Sequence, residues 1–443
     1  MEKLPSKKYI WEISYPIILG MLAQNVINVT DTAFLGRVGE VELGASAIGG
    51  LFYIVIFMLG LGFGTGAQIL MARRNGEKNY ADIGSIMDHS LYFLICLAIF
   101  ILLVIQFIAP VLLKTMISSP AVYAKTIEYL QYRVIGLAFA FVIVIFRSFF
   151  IAITETLWIT LTAVILAGVN AGLAYVMIFG KLGMPAMGIA GAGLASSIAE
   201  FVAAGVFIII TLRHKDLKKY CLFRFPRPRL SIIRKTLSIS VFVMVQYFIS
   251  LGSWFIFFLI VEKLGERSLA VSNIIRAAYL MFMIPSIGFS ITSNSLVSNA
   301  IGAGNKELVI PIIRKITRIS VMVTLCIVLV SVPLARPIIR IFTNNPDLVN
   351  NTISSFYVLM GVMILFSFTN VVFNGVSGTA NTQIALLFEA ITLVFYLSTA
   401  YVLAIHLKLP IAQVWLSEVA YFMVLAILSI FYLRYGNWRA KKI

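Results

Sequence analysis

The residue that most needs a chemical explanation is Asp31. It stands in "NVINVTDTAFLGRVG" (residues 25–39), at the end of the apolar stretch "YPIILGMLAQNVINVT". A carboxylate inside a membrane span is costly, and such acids usually face the bundle interior on an ion or proton path. One reading makes Asp31 a group that binds a proton or a cation, which is the behaviour required of a coupling residue. The other makes it a helix-end carboxylate paired with a neighbour. Three more acids, Glu200, Glu389 and Glu418, lie inside apolar runs, and Glu200 shares a face with Ser196 and Ser197. Each of the three either reaches a polar cavity or pairs and snorkels at a span end. Glu12 and Asp88 lie near the ends of runs, where solvation is expected.

Spacing shows which polar residues share a face. Gln24, Asn28 and Asp31 fall at i, i+4 and i+7, one helical stripe, and Gln246, Ser250 and Ser253 repeat that spacing. Ser367, Asn370, Asn374 and Ser377 form a third stripe, and Ser286, Ser290, Ser293 and Asn294 a fourth. Asn273 lies on the segment leading into the fourth. A single Ser or Asn in a span can be interhelical hydrogen-bond glue. Four such stripes point instead to a wet interior surface. Tyr247 and Trp254 flank the Gln246 stripe, either as packing or as a π-rich wall for flat organic cations.

Several other chemistries lack their residues. No Walker A phosphate loop occurs, which argues against ATP hydrolysis. His89, His214 and His406 lie at span ends or in loops, and Cys96, Cys221 and Cys326 have neither metal-ligand nor disulfide spacing. No nucleophile–base set is present, so neither an enzyme nor a cofactor is expected. Arg147 and Arg276 are the basic residues read as lying well inside spans.

The elements that must carry these residues follow from composition. Of the 443 residues, 60% are hydrophobic and 12% charged, against about 25% charge in an ordinary soluble domain. A chain this apolar could not cover a soluble surface. Apolar runs occupy 9–35, 44–72, 85–113, 122–152, 157–180, 187–212, 236–262, 270–300, 310–334, 348–378, 383–406 and 411–434, each long enough for a helical span of about 20 residues. The fold class is therefore an all-α polytopic membrane protein with twelve transmembrane helices. The opening "MEKLPSKKYIWEISYP" reads as a tail and first span, not as a cleavable signal peptide.

The net charge of +17 comes from loops, so it implies a membrane partner and not nucleic acid. Lys3, Lys7, Lys8, Arg73, Arg74, Lys78, the linker "RHKDLKKYCLFRFPRPRLSIIRK", Lys306, Arg314, Lys315, Arg318, Arg439, Lys441 and Lys442 fall on one side. The positive-inside rule makes that side cytoplasmic, with both termini on it.

An internal repeat sets the architecture. "GEVELGASAIGGLFYIVIFMLGLGFG" (39–64) aligns without a gap on "GERSLAVSNIIRAAYLMFMIPSIGFS" (265–290) at a shift of about 226 residues. The same shift lays "AITETLWI" on "GTANTQIA". Two six-span halves entering from the same side are parallel repeats with a pseudo-twofold axis along the membrane normal. The expected division is a lobe at 1–212, a cytoplasmic linker at 213–235 and a second lobe at 236–443.

Pro16, Asp31 and "DTAFLGRVG", the "GVSGTANT" joint after the tenth span, and the two six-span halves together resemble the MATE family of multidrug and toxic compound extrusion transporters. The resemblance covers essentially the whole chain. It implies antiport of drugs or metabolites against H⁺ or Na⁺ across the cytoplasmic (inner) membrane, by a protein expected to be a monomer. It also implies that Asp31 is the first-span coupling acid, that Asn170 in "GVNAGLAYVMIFG" matches the fifth-span Asn, and that Ser196 sits near the sixth-span hydroxyl. Gln24, Asn28, Gln246, Tyr247, Ser250, Trp254, Asn273, Asn370 and Asn374 are the candidate substrate-cavity residues.

Two departures bear on the ion. Many members carry an Asp four residues after the fifth-span Asn, where this chain has Ala174, and no acid occurs from Tyr357 to Asn381. A second-lobe ion site is therefore not expected, and the balance tilts toward H⁺ with Na⁺ left open. The competing function in the same wider superfamily is a lipid-linked saccharide flippase, which needs a strongly basic cavity for pyrophosphate.

Overall fold

The computed structural model describes residues 3–440, so Lys441 and Lys442 lie outside the described residues. Helical rods occupy the twelve expected places. They are α1 (Lys7–Val38), α2 (Glu40–Gly76), α3 (Tyr80–Met116), α4 (Pro120–Ala152), α5 (Leu157–Phe179) and α6 (Ile189–Arg213), then α7 (Leu230–Glu262). After these come α8 (Glu266–Phe282 with Ile284–Gly302, bent by 46°), α9 (Val309–Ser331), α10 (Pro346–Gly378), α11 (Thr382–His406) and α12 (Ile411–Tyr435). Among the described residues there is no strand. Ten rods are long and apolar enough to cross a membrane, eleven with the bent α8. The remaining one, α9, carries Arg314, Lys315 and Arg318 in its first half, and Arg314 and Arg318 are exposed.

The sequence repeat returns as a repeat of packing. In the first half α2 packs on α3 and α4, α3 on α4, α4 on α6, and α5 on α6. In the second half α8 packs on α9 and α10, α9 on α10, α10 on α12, and α11 on α12. The joints repeat as well. Left-handed backbone occurs at Lys78 and Gly304, at Thr154 and Ala380, and at Leu182 and Lys408, each pair separated by the same shift of about 226 residues. Two helix starts are built alike: Ser119 accepts a hydrogen bond from the Val122 N–H at 3.4 Å, and Asn345 one from the Asp347 N–H at 3.0 Å. Both caps precede a proline at the first helical position, where its missing N–H costs nothing.

Contacts divide the chain into one unit of Leu19–Met244 and another of Met1–Ile18 with Val245–Ile443. The chain thus changes unit inside α1 and inside α7, not at the linker. Within the first unit, Gly62 and Gly66 on α2 lie against the backbone of Met244 and Ser240 on α7. Residues without a Cβ at this spacing allow two helices to approach backbone to backbone in an apolar medium. The Ser240 hydroxyl donates to the Phe63 carbonyl at 3.0 Å. The second unit has the equivalent join, with Ser14 on α1 and Thr292 on α8 sharing a hydroxyl–hydroxyl bond of 2.8 Å.

The linker is held to the first unit by α3. Asp88, expected to be solvated, is 1% exposed, and its carboxylate accepts hydrogen bonds from the N–H groups of Phe223 (3.1 Å) and Phe225 (3.0 Å). Its neighbour His89 accepts one from the Arg229 N–H at Nε2 (2.9 Å), while Nδ1 lies 2.7 Å from the Ser85 carbonyl. A loop entering a sheltered position must find partners for its backbone N–H groups, and these two side chains supply them.

Candidate functional site

The candidate coupling residues converge in the unit of Leu19–Met244. Asp31 comes from α1, Asn170 from α5 and Ser196 from α6. Asn170 is 1% exposed and donates from Nδ2 to the Ser196 hydroxyl at 3.0 Å. Ser196 also lies within reach of the Asp31 carboxylate. Two oxygens in this group, Asp31 Oδ1 and Asn170 Oδ1, are buried with no hydrogen-bond partner. An unsatisfied buried polar atom costs about 1–3 kcal/mol, so this group has acceptor capacity left over.

A residue not singled out in the sequence completes the cluster. Arg133 on α4 makes two parallel bonds of 2.8 Å to the Glu200 carboxylate on α6. Its guanidinium carbon lies 3.8 Å from the centre of the Tyr53 ring on α2. The geometry has a local cause. At Val134–Gly136, α4 tightens into a single 3₁₀ turn. There the Gly136 N–H donates to the Ser197 hydroxyl at 3.0 Å, and that hydroxyl donates to the Tyr132 carbonyl at 2.7 Å. A Cβ at Gly136 would overlap the Glu200 carboxylate, so a glycine is needed for α6 to bring its acid to the arginine. Mid-helix 3₁₀ turns often mark functional positions.

Arg133 therefore joins Arg147 and Arg276 as a basic residue within the spans. Arg276 is exposed, its guanidinium carbon 5.0 Å from the centre of the Phe258 ring. Arg147 and Gln24 line a cavity of about 30 Å³ with Gly20 and Thr162, room for about one water. A signal for Arg133 existed in the sequence: a cation eleven residues into the run 122–152 requires a partner acid. The pairing with Glu200 was not readable, because it depends on how α4 and α6 pack.

The other candidates keep to their own units. Asn28 is exposed, and its carbonyl accepts from Thr32 at 2.8 Å. In the second unit the Ser250 hydroxyl lies 2.9 Å from the Gln246 carbonyl and 2.5 Å from Glu389 Oε1, which also accepts from Tyr421 at 2.7 Å. Gln246 and Tyr247 are half-buried on the same helix. Trp254 stacks on Tyr279 at 5.6 Å, and Glu418, 3% exposed, faces the hydroxyls of Tyr279 and Tyr396. Asn374 donates to the Asn370 carbonyl at 3.0 Å, and Asn370 to Ser290 at 3.4 Å. Asn273 is exposed and bonded to its own helix at the Leu269 carbonyl, 3.1 Å. The second half thus holds two buried carboxylates surrounded by hydroxyls, Glu389 and Glu418, both singled out in the sequence as acids inside apolar runs.

The MatE family model matches residues 16–176 and again 243–402. The chain belongs to the MatE family. The two MatE matches fall one on each half of the repeat. A similar protein is the probable multidrug resistance protein NorM of Thermotoga maritima, 24% identical over all of this chain and 95% of that one. Another is the NorM protein of Agrobacterium fabrum, 28% identical over 71% of this chain and 68% of the relative. Among solved MatE-like structures, an outward-facing multidrug resistance MATE family transporter superposes with a TM-score of 0.90 at 21% identity, covering 97% of this chain and 95% of that one. A transporter of the wider MOP superfamily from Pyrococcus furiosus also gives 0.90 at 21% identity, covering 98% and 97%. Both likenesses are of the MatE fold: twelve helices in two lobes.

Proposed function

We propose that this MatE protein is a multidrug-type secondary antiporter. It exports amphipathic organic cations in exchange for H⁺ or Na⁺ by alternating access, and Asp31 is the coupling carboxylate, with Asn170 and Ser196 orienting it. One observation carries the reading: the buried oxygens Asp31 Oδ1 and Asn170 Oδ1 have no partner, so the resting protein retains a place for a positive charge. Alternation follows when the same carboxylate favours the ion in one state and the organic cation's release in the other. Gln24 and Asn28 in one unit, and Gln246, Tyr247, Ser250, Trp254, Asn273, Asn370 and Asn374 in the other, are proposed to line the substrate path. The termini are proposed to face the cytoplasm in a bacterial-type inner membrane, and the working unit is a single chain.

The flippase reading needs free basic groups for a pyrophosphate. It is disfavoured because the best-placed guanidinium, on Arg133, is already engaged by Glu200. The test is reconstitution into vesicles with a panel of planar cationic dyes and one fluorescent lipid-linked saccharide. Gradient-dependent dye movement supports the antiporter. Gradient-independent movement of the saccharide alone would replace it with the flippase.

A further inference from the structure

We propose that the segment from Arg224 to Arg234, between α6 and α7, is a docking surface for the headgroups of anionic phospholipids. Such a surface requires only the membrane-spanning fold and this segment's place at a membrane boundary, not Asp31 or the transported ion.

Residues 213–235 carry nine Lys and Arg against one acid, Asp216. Arg224, Arg227, Arg229 and Arg234 are exposed, and none of the four forms an ion pair among the described residues. Positive loops orient a membrane protein whatever their conformation. Here the conformation is fixed as well. Phe223 and Phe225 have φ of 59° and 41°, left-handed backbone that is unusual for a bulky residue. Three side chains of α3 hold it there. Asp88 accepts from the N–H groups of Phe223 and Phe225 at 3.1 and 3.0 Å, and His89 from that of Arg229 at 2.9 Å. The Tyr92 hydroxyl donates to the Pro226 carbonyl at 3.3 Å. Pro226 and Pro228 stiffen the segment further. A connection between two helices needs none of this, so the fixed backbone asks for a reason.

Depth supplies one. α3 passes from the polar "YADIGSIMDHS" (80–90) into the apolar "LYFLICLAIFILLVI" (91–105), and Asp88, His89 and Tyr92 hold the segment at that step. It therefore lies level with the boundary between headgroups and acyl chains. On its inner side the Phe223 ring lies 6.0 Å from the ring of Phe146 on α4. On its outer side Phe225 is 50% exposed and Leu230 79% exposed, two apolar groups set among guanidiniums. A bilayer boundary accepts both kinds of group. Phe225 and Leu230 enter the chain region, while a guanidinium takes two phosphate oxygens in parallel bonds. Basic clusters beside a span bind anionic lipids in this way. A soluble anion would satisfy the arginines but leave Phe225 and Leu230 in water. The fixed backbone spares the cost of ordering the surface when the lipid binds.

The experiment titrates the purified full-length protein in detergent with phosphatidylglycerol or phosphatidylcholine and counts bound lipid by native mass spectrometry. It compares wild type, the triple variant Arg224→Gln/Arg227→Gln/Arg229→Gln, Asp88→Asn and Phe225→Ser. The wild type binds phosphatidylglycerol about tenfold more tightly than phosphatidylcholine, and the triple variant loses that preference. Asp88→Asn removes a negative charge but releases the loop, and its phosphatidylglycerol binding falls severalfold. Phe225→Ser weakens binding as well. Diffuse charge attraction requires the opposite of Asp88→Asn, binding as tight as that of the wild type or tighter, and that result would overturn the proposal. So would a wild type without the preference, or a triple variant that keeps it. Displacement of phosphatidylglycerol by millimolar inorganic phosphate would also overturn it, marking a site for free phosphate. Should Asp88→Asn not fold, as its melting temperature would show, the wild type, the triple variant and Phe225→Ser decide the question.

Discussion

At the scale of single residues, the candidate site combines a group without its full complement of partners and a pair that has it. Asp31 and Asn170 each retain a buried oxygen with no donor, whereas Arg133 and Glu200 satisfy one another twice over. The two should respond differently to substitution. Asn170→Ala and Ser196→Ala are expected to lower transport by about tenfold or less, as each removes one neutral hydrogen bond. In purified protein both should leave the thermal midpoint nearly unchanged. Arg133→Met strands the Glu200 carboxylate and is expected to destabilise the protein by about 3 kcal/mol or more, visible as a large fall in melting temperature in detergent. Adding Glu200→Met should restore much of it. Asp31 was legible from the sequence because an acid in an apolar run is conspicuous, and Asn170 and Ser196 from a family resemblance. The Arg133–Glu200 pair was not, since its halves lie 67 residues apart in sequence and meet only through the 3₁₀ turn and the glycine at 136.

At the scale of elements, twelve runs of apolar residues fixed the twelve rods to within a few residues, because span length is set by bilayer thickness. The ungapped repeat anticipated that the halves would pack alike. It did not reveal that Leu230–Met244 joins the first unit, by close backbone approach at Gly62 and Gly66, and Met1–Ile18 the second, where Gly288 lies against Ile18 and Ser14 bonds Thr292. The repeated joints yield a stability prediction. Thr154 adopts φ 65°, a left-handed conformation costing a β-branched residue roughly 1–2 kcal/mol. Thr154→Gly should raise the melting temperature in detergent, even after the added flexibility of glycine in the unfolded chain. A melting temperature lowered by several degrees would show that the threonine side chain contributes more than its strain costs. In α4, Gly136→Leu should do the reverse and impair transport along with stability, as its side chain occupies the position of the Glu200 carboxylate.

At the scale of the whole molecule, the MatE fold and the multi-pass architecture stand on the helices, the repeated packing and the family match. Orientation is a prediction from the loop charges. In a cysteine-free background, Lys181→Cys, exposed between α5 and α6, should react with a membrane-impermeant maleimide in intact cells, and Lys219→Cys in the linker only after permeabilisation. The opposite pattern would invert the topology. Substrate choice was the least legible property, because the polar stripes name helix faces and not the shape they enclose. The account turns on whether one carboxylate converts an ion gradient into export, and Asp31→Asn is its most direct test: the amide keeps size and hydrogen bonding but can neither release a proton nor present a full charge. In proteoliposomes under a fixed gradient, the Asp31→Asn protein should reconstitute normally yet lose gradient-driven dye export, while Glu389→Gln and Glu418→Gln retain a substantial share. Full export by Asp31→Asn, with loss in one of the glutamate variants, would contradict the account and move the coupling site to the second half of the chain.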